Sequence, residues 1–134
     1  NVHRIKGEID PKQAASQYAN EIRKEFGEDN EPIFDLILLG MGNDGHTASL
    51  FPGLPAINDK ISLVTSHFVP QVNSNRVTIC PRVINHAKDV MFIISGKSKQ
   101  KIYDHVSHSP YCPSVLPAQL VKPINGYVTW NIKF

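Results

Sequence analysis

The chain has 134 residues, 41% hydrophobic and 19% charged, with 14 Lys+Arg against 12 Asp+Glu for a formal net charge of +2. That length suits one globular domain, and the near-neutral balance lacks the basic footprint that nucleic acid or an acidic membrane surface demands. Two cysteines cannot staple a chain this long and no apolar run approaches a bilayer span, so no membrane partner is expected and the location expected is cytoplasmic.

Asp10-Pro11-Lys12-Gln13 predicts a helix start, with an N-cap, a proline at N1 and a Gln at N3. Ala14, Ala15, Tyr18, Ile22 and Phe26 continue it along one face, and Gly27 ends it. After a polar loop, Ile33–Leu39 is a nearly continuous apolar run, the pattern of a strand buried on both faces. A turn with three glycines, Gly40–His46, follows at once, and Thr47–Phe51 reads as a short helix cut off by Pro52-Gly53. Leu54–Asn75 reads as irregular, apart from a short strand at Ile61–Thr65. Arg76–Cys80 alternates as a strand, and Pro81–Ala87 forms a short helical turn. Asp89–Ile94 is a second buried strand ended by Ser95-Gly96, and Lys97–Val106 is a helix. Ser107–Leu116 reads as loop, and Tyr127–Ile132 as a last strand. Strands alternating with helices predict an α/β fold with a Rossmann-like, mostly parallel sheet flanked by helices, as a single domain over residues 1–134. Such sheets bind ligands outside the carboxyl ends of their strands, where Gly40–His46 and Ser95–Lys101 lie.

Glycines let a backbone approach a ligand closely, so N–H groups of the Gly40–Gly45 turn can face an anion or oxyanion. Asp44 and His46 stand two apart in it, and a histidine there suits general acid–base work. The plainer reading is a tight turn with Asp44 capping the next helix and His46 on the surface. Zinc is a weaker option, because Asp-Gly-His supplies at most two ligands and no partner motif is visible. Lys97, Lys99 and Lys101 after Gly96 make either a phosphate site at a helix N-terminus or a solvated helix face, and Arg76 has the same two readings. His105 and His108 suit a helix C-terminus, while His3, His67 and His86 have no ligand company. Cys80 reads as a buried thiol, Cys112 as a loop residue and Trp130 as core.

The string Asp35–Gly53, Asp-Leu-Ile-Leu-Leu-Gly-Met-Gly-Asn-Asp-Gly-His-Thr-Ala-Ser-Leu-Phe-Pro-Gly, resembles the signature of the 6-phosphogluconolactonases. Arg76-Val77-Thr78, Pro81–Ala87, Ser95-Gly96-Lys97-Ser98-Lys99, Leu116-Pro117-Ala118 and Trp130 follow in that family's order. The resemblance implies hydrolysis of 6-phospho-D-glucono-1,5-lactone in the oxidative pentose phosphate pathway, without metal or organic cofactor. It assigns His46 and Asp44 to catalysis, and Gly40, Gly42, Asn43, Gly45, Arg76 and Lys99 to substrate binding, Lys99 standing where the family's Gly-x-x-Lys motif puts its lysine. Family members extend further at the N-terminus, with a Gly-Gly-Ser phosphate loop and an Asp-Glu-Arg motif. Together with a start at Asn1 that shows neither initiator Met nor signal-peptide pattern, this makes the chain read as a domain incomplete at its N-terminus. Some relatives are fused to glucose-6-phosphate dehydrogenase, the one protein partner the resemblance suggests. The related glucosamine-6-phosphate deaminase/isomerases share the Gly-x-Asp-Gly-His turn but follow it with Phe-Asn-Glu-Pro, where Ser49-Leu50-Phe51-Pro52 carries no carboxylate. A sugar-phosphate-binding module without catalysis is the remaining alternative.

Overall fold

Asp10 caps the first helix as its sequence predicts: its Oδ1 accepts the Gln13 N–H at 3.0 Å, and α1 runs Pro11–Phe26. The computed structural model describes the whole chain, Asn1–Phe134. Gly27, at φ 95°, ends the helix and returns its N–H to Arg23 O at 2.7 Å. Ala14, Ala15, Ala19 and Ile22 are its buried stripe, and it packs on an antiparallel hairpin of β2 (Val64–Val69) and β3 (Ser74–Ile79).

The main sheet has three parallel strands in the order β1 (Leu36–Leu39), β4 (Asp89–Ser95), β5 (Tyr127–Lys133). Its inward face is Ile37, Leu39, Val90, Phe92 and Ile94, which share one core with α1, α2 (Pro81–Asn85) and α3 (Gln100–His108). Phe92 lies cross-strand from Trp130 and stacks on it at 4.1 Å between centroids, with Tyr103 of α3 edge-on to the indole at 5.3 Å. No helix is long and apolar enough to cross a membrane.

Four expectations need correction. The first apolar run is a strand only over Leu36–Leu39, and neither it nor β4 is buried on both faces: Leu36, Leu38 and Ile93 are 49%, 57% and 51% exposed. All three helices contribute to the core on one side, so the other face has no covering layer within the chain. Thr47–Phe51 is a turn closed by a Thr47–Leu50 bridge, not a helix. Its polar groups are committed elsewhere, Thr47 Oγ1 to Gly40 O at 2.8 Å and the Ser49 N–H to Thr78 Oγ1 at 3.1 Å. The strand expected at Ile61–Thr65 begins at Val64 instead, because Asp59 Oδ1 holds the N–H groups of Ile61 and Ser62 in a turn, at 3.0 and 2.8 Å. Finally, Lys97–Lys99 is a single 3-10 turn, and the helix proper runs on to His108, into the expected loop.

Candidate active site

β1 and β4 are parallel neighbours, so their carboxyl ends lie side by side. β1 feeds the turn Gly40–His46 and β4 feeds Gly96–Lys99, and the two loops are joined by Lys99 Nζ donating to Met41 O at 2.8 Å. The glycine turn is closed internally, with the Gly42 N–H on His46 O at 2.9 Å and the Gly45 N–H on Gly42 O at 3.1 Å. Gly45 sits at φ 81°, where only glycine is unstrained. Gly42 answers a different demand: a Cβ there would strike the His46 ring and come within 2.8 Å of Asp44 Oδ1.

No helix follows for Asp44 to cap. Its Oδ1 binds His46 twice, accepting the backbone N–H at 3.1 Å and standing 2.6 Å from Nδ1. Burial pushes the Asp44 carboxyl up, but the hydrogen bonds from the His46 backbone and ring outweigh it and hold the group below its ordinary range. An ionised carboxylate only accepts, so Nδ1 carries the proton, and in the neutral imidazole the lone pair is then on Nε2. Phe51 stacks on the other side of the imidazole at 4.0 Å between centroids and 24° between planes, fixing the ring plane. His46 opens on a cavity of about 700 Å³ whose polar wall includes Gly40, Gly42, Ser49, Thr78 and Lys99. No carboxylate lines it. Ala48, also in the wall, is held at φ 48°, a left-handed conformation costing an L-residue roughly 1–2 kcal/mol.

The other expected site residues are distributed around this cavity rather than gathered in it. Arg76 lines a second cavity, which adjoins the first along Ile5, Ser49 and Val77. Asn43 faces a third, with Ser98, Lys101 and His105. Gly45 turns away to pack on Leu116 and Ile102, and its carbonyl accepts the Ala118 N–H at 2.9 Å. The N–H groups of Gly42, Gly45 and His46 are spent inside the turn, whereas those of Gly40 and Met41 take part in none of these bonds. No three His, Cys, Asp or Glu side chains converge as metal ligands would. Cys80 is fully buried, and burial, with the Asp59 charge, pushes its thiol up to about 12, which removes it as a nucleophile. Phe51, Thr78 and the Met41 carbonyl escaped the sequence reading. Phe51 and Met41 lie within the Asp35–Gly53 string, and Thr78 within Arg76-Val77-Thr78, but only packing shows what they touch.

The sequence pattern of the glucosamine-6-phosphate isomerases/6-phosphogluconolactonase family matches residues 1–130. The chain belongs to that family. It is 37% identical over 127 residues to the 6-phosphogluconolactonase of Rattus norvegicus, covering 91% of this chain and 49% of that protein. With the human 6-phosphogluconolactonase it shares 35% identity over 127 residues, 94% of this chain and 49% of its relative. The fold superimposes on the crystal structure of the 6-phosphogluconolactonase from Thermotoga maritima with a TM-score of 0.81 at 31% identity, covering all of this chain and 56% of the other. It superimposes on the devB protein with a TM-score of 0.89 at 32% identity, over 98% of this chain and 55% of that one. The chain thus spans about half the length of the relatives it matches.

Proposed function

We propose that residues 1–134 act as a 6-phosphogluconolactonase-like domain that binds 6-phospho-D-glucono-1,5-lactone and hydrolyses it to 6-phospho-D-gluconate. The observation that carries this reading is the Asp44–His46 pair, 2.6 Å apart, opening on a cavity that also holds Lys99. His46 Nε2 takes a proton from water as the water oxygen bonds to the lactone carbonyl carbon. The same proton then passes to the ring oxygen as its bond to that carbon breaks, leaving an acid and a free hydroxyl. Asp44 fixes the tautomer and steadies the imidazolium formed midway. Gly40 and Met41 supply the N–H groups for the tetrahedral oxyanion, a role in which one donor is worth roughly 10²–10³ in rate. Gly42 makes room for the pair, and Asn43 and Gly45 shape the turn that presents it. Arg76 and Lys99 hold the 6-phosphate, approaching from the two adjoining cavities. No step uses a metal. The names of the relatives support the lactone as substrate, and so does Ser49-Leu50-Phe51-Pro52, which stands where the isomerases carry the glutamate that supports ring opening.

The test is a lactonase assay beside isothermal titration with 6-phosphogluconate. His46→Ala is expected to lower kcat by about 10²–10⁴ with KM little changed, and Arg76→Ala mainly to raise KM. A near-normal kcat in His46→Ala overturns the base assignment. Loss of activity with a chelator overturns metal-free hydrolysis. Ammonia release from glucosamine 6-phosphate would place the chain with the isomerases instead. Binding of 6-phosphogluconate without turnover would leave a sugar-phosphate-binding module.

A further inference from the structure

The cavity that holds Arg76 has a volume of about 370 Å³ and lies between the chain's first ten residues and β3. Its polar wall is Lys6, Ser49, Ser74, Asn75 and Arg76, two cations and three neutral hydrogen-bonding side chains with no carboxylate. Neither cation is spoken for: Lys6 and Arg76 enter none of the chain's ion pairs. The acids nearest Lys6 in sequence are hydrogen-bonded elsewhere, although Glu8 lies close enough to feel the Lys6 charge. Glu8 takes both terminal nitrogens of Arg4, at 2.8 and 2.5 Å, and Asp10 caps α1. Two unpaired like charges lining one small space repel each other, and an anion between them reverses that cost.

We propose that Lys6 is a further phosphate-binding residue of this site, sharing with Arg76 an anion cavity that adjoins the cavity of His46. Naming the ligand rests on the sugar-phosphate reading above, whereas the anion preference rests on the wall of the cavity alone. The guanidinium fork matches two phosphoryl oxygens, and the lysine adds a point charge that tolerates small changes of position. The hydroxyls of Ser49 and Ser74 and the Asn75 amide can donate to the remaining oxygens. Ser49 ties this cavity to the chemistry, because it lines both cavities and stands three residues after His46. A substrate with its carbonyl at His46 and its phosphoryl group beyond Ser49 would therefore occupy both. Neutral sugar lactones would lack the second anchor, which makes Lys6 a determinant of specificity for the phosphorylated form.

The test is titration of the chain, followed by amide chemical shifts, with inorganic phosphate, 6-phosphogluconate and gluconate in turn. Phosphate is expected to move the amides of Gly7 and Ser74–Val77, and Lys6→Gln to weaken its binding roughly three- to ten-fold. Lys12→Gln, on an exposed residue outside the cavity, changes the net charge equally and is expected to leave affinity unchanged. 6-Phosphogluconate should show the same Lys6 dependence and also move the amides around His46, and gluconate should show no Lys6 dependence. Phosphate leaving the Ser74–Val77 amides unmoved, or binding Lys6→Gln as tightly as the wild type, overturns the proposal. Engagement of the His46 cavity by 6-phosphogluconate with no Lys6 penalty removes Lys6 and leaves the lactonase reading standing. Lys6-dependent phosphate binding without any response at His46 keeps the anion cavity and removes that reading.

Discussion

At Gly42 the missing side chain is as informative as any that is present. The space a Cβ would fill is taken by the His46 ring and by the Asp44 oxygen that orients it. Alanine there must move one of them, and Phe51, stacked on the imidazole, hinders the ring from yielding. Overpacking of this kind costs roughly 1–3 kcal/mol of stability. If His46 is the base proposed above, the kinetic cost is larger, because displacing a catalytic base by an ångström costs on the order of 10²-fold in rate. Gly42→Ala is therefore expected to lower kcat by about 10² while unfolding at a moderately lower urea concentration. The checks are a lactonase assay and a denaturation curve on the same preparation. An unchanged kcat would mean that the ring has somewhere to go, and that the Asp44 contact does not set its catalytic position.

Among the elements, the β2–β3 hairpin shows most clearly where sequence pattern and structure part. α1, β4 and β5 were legible because a capping residue, a glycine stop or an apolar alternation marks each within its own segment. β2 was not: Thr-Ser-His-Phe in its middle has no clean alternation, and its strand character comes from β3 and from α1 packed on it. The site divides in the same way. Asp44–His46 and the Lys97–Lys101 stretch could be placed from glycine-marked loops at strand ends, and Lys99 was singled out there only by the family resemblance. The separation of Arg76 into its own cavity is instead set by how the hairpin docks. That hairpin also carries an unspent titratable group. Both ring nitrogens of His67 are buried without a partner, and the residue lies cross-strand from Arg76. Burial pushes its pKa below the ordinary value, with the Ser49 backbone opposing weakly. The native protein thus resists a proton that the unfolded chain accepts at about pH 6.5, so stability falls as the pH drops through that value. The other five histidines are common to both proteins, so the difference between wild type and His67→Leu isolates this one. Urea midpoints from about pH 7.5 to 5 are expected to fall more steeply for the wild type. Parallel curves would mean that His67 finds a partner when protonated.

For the molecule as a whole, the controlling feature is a core on one side of a three-stranded sheet. The opposite face carries Leu36, Leu38 and Ile93 half-exposed, and β1 pairs only with β4, so its other edge is open. An apolar face beside an unpaired edge is the combination that templates association between chains. Leu36→Lys tests it without entering the His46 cavity, which Leu36 does not line. The new ammonium would stand cross-strand from Asp89, a favourable pairing on an exposed face. Because Leu36 is 49% exposed, the substitution is expected to change folding stability by no more than about 0.5 kcal/mol. Concentration-dependent light scattering is expected to fall. Ile37→Lys, one residue along and 8% exposed, points into the core and should abolish cooperative unfolding. If Leu36→Lys instead destabilises the chain nearly as much as Ile37→Lys, its side chain is buried in solution. The face would then be an interface, and its stability would rise with protein concentration.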